Sequence, residues 1–181
     1  MLKIVHAPAE VLTKGVRPVA KIDKKIKQLV YDMEETLVAQ VDPQGVGLAA
    51  PQVGIDLAIF IIKPTLSADT EVFINPKILE IVETKESSVK SQKKTETEQD
   101  IKLEGCLSIP KIWGPVTRSG KVHLEYQDLT GEKLTKWFTG FKAVIIQHET
   151  DHLNGILFTE RVLEQKNKLY EEKNGELEVI Q

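Results

Sequence analysis

The stretch that most constrains what this chain can become lies at residues 147–155, Gln-His-Glu-Thr-Asp-His-Leu-Asn-Gly. It follows the apolar run Phe141, Ala143, Val144, Ile145 and Ile146, so the pattern predicts a buried helix with Gly155 as its C-terminal stop. Residues four apart lie one turn above each other on a helix, which sets His148 and His152 on one face. Two imidazoles on an apolar helix need polar partners. The H-E-x-x-H spacing lets both reach one metal ion while Glu149 acts on a water held there. Either histidine alone reads more simply as a hydrogen-bonded core residue. The joint pattern is harder to reach by chance, and it holds two of the chain's four histidines. A metal site needs a further ligand, which the rest of the chain must supply.

With 181 residues the chain is long enough to bury a substantial core, and a single domain over 1–181 is expected. Its hydrophobic fraction of 41% and charged fraction of 28% are ordinary for a soluble globular protein. A net charge of −3 gives no basis for a broad nucleic-acid surface or for attraction to anionic lipid. No apolar run approaches a membrane span, and Met1-Leu2-Lys3-Ile4 enters ordinary sequence without a secretory leader. Cys106 is the only cysteine, which excludes a disulfide within the chain and points to a reducing cytoplasm.

Upstream, Ile22, Ile26, Leu29, Val30, Met33 and Leu37 recur at helical spacing with Asp23 as a cap, and Asp42-Pro43-Gln44-Gly45 breaks the pattern. Residues 45–52, GVGLAAPQ, contain neither G-x-G-x-x-G nor the Gly-Lys-Ser/Thr of a phosphate loop. Small residues around one large amide would let a ligand backbone approach Gly47, with Gln52 as donor; a tight turn packed on the core is the plainer alternative. Residues 57–62, 71–74 and 78–82 have the composition of strands. From 83 to 102, lysines and glutamates mix with serines and threonines, as in a mobile, solvated insertion. Cys106 sits in the compact segment Leu103-Glu104-Gly105-Cys106-Leu107-Ser108, either as a small buried hydrophobe or as a thiolate donor suited to zinc or iron(II). Residues 121–127 and 132–138 alternate around Asp128-Leu129-Thr130-Gly131, a hairpin leading into the His-Glu helix. From 160 to 181 charge dominates, and a solvated terminal helix or tail is expected, anchored by Val162, Leu163, Leu169 and Tyr170.

Three separated stretches then agree. GVGLAAPQ at 45–52, EGCLS at 104–108 and QHETDHLNG at 147–155 resemble, in content and order, the three motifs of the peptide deformylases. The resemblance covers roughly residues 2–158. It implies an α+β fold, with antiparallel β-sheets packed around a central helix carrying H-E-x-x-H. It implies a metal-dependent hydrolase that removes the formyl group from the N-terminal formylmethionine of newly made polypeptides, releasing formate. The implied ligands of one divalent ion are Cys106, His148 and His152, with water in the fourth position. Iron(II) is the ion expected in the cell; zinc, nickel or cobalt can substitute. Glu149 is the implied proton shuttle, and the Gln52 side chain and Leu107 backbone N–H are the implied donors to the developing oxyanion.

For the substrate, Val46 and Gly47 are expected to pair with the peptide backbone like an added strand, and Leu48 is counted with them in the substrate-binding set. By position, Val46, Phe141, Val144 and Ile145 are candidates for the methionine pocket, although each reads as readily as core packing. Glu104 and Arg118 are expected to pair beneath the site. The implied partners are nascent formylmethionyl polypeptides, met near the ribosome by a cytoplasmic monomer that binds neither nucleic acid nor membrane. Thr150 and Lys142 depart from the usual apolar residues, the insertion after Glu83 is long, and Trp113 stands near where substrates pass. Two other readings stay open. An H-E-x-x-H endopeptidase usually takes its third ligand downstream, and no H-E-x-x-H-x-x-G-x-x-H continuation exists here. A non-catalytic peptide-binding relative would keep the fold alone; the intact Gln52, Cys106, His148, Glu149 and His152 weigh against it.

Overall fold

Asp23 starts the first helix as its sequence predicts: its carboxylate accepts the N–H groups of Lys25 and Ile26 at 2.8 and 3.1 Å. The helix it caps, α1 (Lys24–Val38), buries Val30, Met33, Thr36 and Leu37 along one face. The computed structural model describes residues 1–82 and 103–180, so the charged insertion at 83–102 lies outside the described residues.

Among the described residues, nine strands form two antiparallel sheets. The larger sheet runs β1 (Gly47–Ala49), β2 (Ile59–Ile62), β3 (Glu71–Ile81), β6 (Lys121–Gln127) and β7 (Lys133–Thr139), in the order β1-β2-β3-β6-β7. The smaller joins β4 (Leu103–Cys106), β5 (Ile109–Pro115), β8 (Tyr170–Lys173) and β9 (Glu176–Val179) in the order β4-β5-β8-β9. All four residues of β2 are buried because helices cover both faces of this part of the sheet. Phe60 and Ile62 pack toward α2 (Phe141–Leu153), with Phe73, Phe138, Ala143 and Ile146. Ile59 and Ile61 alternate to the other side and pack with Val30, Met33 and Leu37 of α1. The fold is α+β, and α2 packs against β1, β2 and β7.

Two local expectations need correction. Residues 71–74 and 78–82 are not separate strands: β3 runs through Asn75-Pro76 as one strand with register shifts. Asn75 makes this workable. Its Oδ1 accepts from Val19 N–H, and its Nδ2 donates to Val19 O and to Gln127 Oε1, so its side chain replaces lost ladder bonds. The C-terminal segment is not helical throughout either. Helix α3 (Phe158–Glu164) ends early, and β8 and β9 form a hairpin around Asn174-Gly175. Both turn residues have positive φ, 54° and 82°, the requirement that makes Asn-Gly a strong hairpin signal. The dipeptide stands in the sequence within a segment whose charge alone reads as a solvated helix or tail.

Candidate metal centre

The three donors come from two elements. Cys106 ends β4, and His148 and His152 lie one turn apart on α2. Their ligating atoms all fall within 4.8 Å of one another. Cys106 Sγ is 3.2 Å from His152 Nε2. His148 Nδ1 is 3.1 Å from Glu104 Oε2, a contact that orients the ring and leaves its other nitrogen for the cluster. Glu104 is itself held by Arg118, whose Nη2 donates at 3.0 Å. The expected Glu104–Arg118 pair is therefore present. Arg118 also bonds Asp151 at 2.8 Å, and Arg161 of α3 bonds Asp151 from the other side at 2.7 Å. Nothing in the linear chain shows that charges from α2 and α3 meet Arg118, so the parts played by Asp151 and Arg161 emerge only in the packed structure.

Charge at the site follows from burial and neighbours. Burial alone pushes the Cys106 thiol up, but His152 and His148 beside it more than reverse this, so the thiol is held well below its usual range. Burial disfavours charge on His148, yet Cys106 and Glu104 raise its pKa well above the ordinary value. Burial opposes ionisation of Glu104 too, but His148 and Arg118 bring its carboxyl down to about 2. Glu149 behaves in the opposite way. It is only 3% exposed, and burial pushes it up to about 7 against the pull of His148 and His152. Its Oε2 is buried with no hydrogen-bond partner among the described residues, and the same holds for His152 Nδ1.

These features fit a divalent metal ion. One thiolate and two imidazoles form a three-ligand set that leaves a coordination position open, and Glu149 has an unpartnered oxygen beside it.

Gln52, 2% exposed, accepts Ala49 N–H through Oε1 at 2.8 Å and turns Nε2 toward Cys106 Sγ at 3.4 Å. Above the cluster opens a cleft of about 250 Å³. Val46, Gly47, Leu107, Phe141, Val144 and Ile145 line it, together with Trp113. A Cβ at Gly47 would overlap the Glu149 carboxylate and Ile145, so only glycine permits this approach. Leu48 does not line the cleft. Alternation along β1 turns it into the core beside α1, fully buried, which removes its side chain from the expected substrate-binding set.

A ligand trio open on one side, beside a buried carboxylate at the floor of an apolar cleft, defines a metal-dependent hydrolase. Residues 1–168 match the family model described as polypeptide deformylase. A peptide deformylase from Desulfotalea psychrophila is 37% identical over 177 residues, covering 96% of this chain and 94% of that protein. The crystal structure of peptide deformylase from Thermotoga maritima superposes with a TM-score of 0.74 at 36% identity, covering 90% of this chain and 97% of that one. A Met-Ala-Ser-bound class I type b peptide deformylase from Acinetobacter baumannii gives a TM-score of 0.72 at 34% identity, covering 90% and 98%. The chain belongs to the polypeptide deformylase family.

Proposed function

We propose that the chain hydrolyses the formyl group from the N-terminal formylmethionine of newly made polypeptides, releasing formate and a free amine. The observation that carries this reading is the buried Cys106–His148–His152 cluster with Glu149 beside it at the floor of the cleft. An ion held by these three donors would supply Lewis acidity toward a carbonyl oxygen and lower the pKa of water. Glu149, buried beside the cluster with an unpartnered oxygen, takes the proton of the attacking water as the C–O bond to the formyl carbon forms. It returns that proton to the amine nitrogen as the C–N bond breaks, ending the cycle as a carboxylate. Negative charge collects on the formyl oxygen, and Gln52 Nε2–H and Leu107 N–H donate to it. The Ala49 N–H bond suits Gln52 to this task, because it fixes which end of the amide faces Cys106.

Val46, Phe141, Val144 and Ile145 form the apolar wall for the methionine side chain, and the backbone of Val46 and Gly47 pairs with the peptide as an added strand. Iron(II) serves in the cell, with zinc, nickel or cobalt as substitutes, since this nitrogen and sulfur set suits several divalent ions. The chain acts as a single catalytic domain and a monomer in the cytoplasm, on nascent formylmethionyl chains near the ribosome. A buried free thiol suits a reducing compartment, and no helix among the described residues is long and apolar enough to cross a membrane.

Met-Ala-Ser, the tripeptide bound in the A. baumannii structure, is what deformylation of formyl-Met-Ala-Ser leaves behind. The test is anaerobic, metal-loaded enzyme with that formyl peptide. Equimolar formate and Met-Ala-Ser are expected, with acetyl-Met-Ala-Ser far slower and internal bonds of an unfolded protein intact. Metal-dependent cleavage of internal bonds without formate would replace this reading by the endopeptidase.

A further inference from the structure

One wall of the cleft plays no part in the chemistry. Trp113 lies opposite Gly105 across the β4–β5 pair, and a Cβ at Gly105 would overlap its six-membered ring. The indole therefore rests on the β4 backbone one residue from Cys106. Cross-strand partners share a face, and successive residues alternate. Trp113 and Gly105 thus occupy the face of β4 opposite to that of Glu104, whose carboxylate turns to His148 on α2.

The polar edge of the indole is already engaged. Its Nε1–H donates to Glu172 at 3.0 Å. Glu172 belongs to β8, beyond residue 168 where the family match ends, and β8 pairs with β5 at Trp113 itself, opposite Tyr170. What Trp113 offers the cleft is an apolar ring, fixed in place by the C-terminal hairpin.

We propose that Trp113, held by Glu172, is a specificity-determining residue that favours a large apolar side chain at the second residue of the substrate. The inference rests on the deformylase reading. A peptide with its formyl group at Cys106 and its methionine side chain toward Val144 and Ile145 sends its next side chain to the opposite face, because side chains alternate along an extended chain. That is the face of Trp113. The contact is one-sided rather than an enclosing pocket, so it discriminates by about threefold to tenfold in kcat/KM.

The test compares formyl-Met-Leu-Ser with formyl-Met-Ala-Ser by formate release from the metal-loaded enzyme. A ratio taken on one preparation cancels any loss of folded protein. The parent should prefer leucine, mainly through KM, and Trp113→Ala should bring the ratio near one. Glu172→Ala should lower it partway, whereas Glu172→Gln, which keeps an acceptor, should retain it. Trp113→Phe keeps a ring without an N–H, so adding Glu172→Ala to it should change nothing further. Equal ratios in the parent and Trp113→Ala overturn the proposal while formate release leaves the deformylase reading standing. No formate from either peptide sinks both.

Discussion

Gly47 and Glu149 compete for the same space, since a Cβ at residue 47 would overlap the carboxylate. Gly47→Ala should therefore displace Glu149 without touching the metal donors. Metal content should stay at the parent level while kcat/KM falls at least about tenfold, as expected when a reacting group moves by about an ångström. The other site residues separate by role in the same way. Cys106→Ala removes the only sulfur donor, so metal retention and formate release should fall together. Glu149→Ala keeps all three donors, so metal should remain while the rate drops by about 10²–10⁴, the usual contribution of a positioned acid–base group. A Glu149→Ala protein that binds no metal would assign this carboxylate to ligation or folding instead.

Arg118 joins three elements: it bonds Glu104 on β4 and Asp151 on α2, and Asp151 in turn bonds Arg161 on α3. The Arg118 side chain is 6% exposed, and those of Glu104 and Asp151 are 14% and 10%. Arg118→Met would leave two carboxylates poorly solvated and short of a partner, a loss of about 3–5 kcal/mol in urea unfolding. Release of Glu104 should also loosen His148 and weaken metal binding. Helix α1 offers a pH test away from the metal. The N–H groups of Ile26 and Lys25 hold the Asp23 carboxyl below its ordinary value. A depressed folded-state pKa gives stability that is present above the unfolded value and is lost as pH falls through the folded one. Asp23→Ala should lower the melting temperature at neutral pH, and the gap should close in acid. A gap that persists there would mean that the carboxylate charge is not what caps the helix.

At the scale of the whole molecule, the donors tie the smaller sheet to α2, so metal binding should stabilise the fold by mass action. A metal concentration a thousandfold above Kd should add about 4 kcal/mol over the stripped protein, and Cys106→Ala should lose this increment. Melting curves during chelation and metal return would measure both. Much of this arrangement was legible in the chain itself. Helix α2 with its two histidines, the Asp23 cap and the β6–β7 hairpin follow from local periodicity and turn chemistry, which act between residues a few positions apart. The three motifs carried the likeness to a family, and with it the ligand set. Local pattern could not give contacts between distant segments. Asn75 carries β3 through a proline only because Val19 and Gln127 lie beside it, and Leu48 points away from the cleft only because α1 covers that face. The Arg118–Asp151–Arg161 network and the Trp113–Glu172 wall likewise exist only once separate elements have packed. Sequence set the chemistry of each piece, because chemistry resides in residue types at short spacing. Tertiary structure alone decided which pieces share a space, because burial and long-range pairing depend on the whole chain.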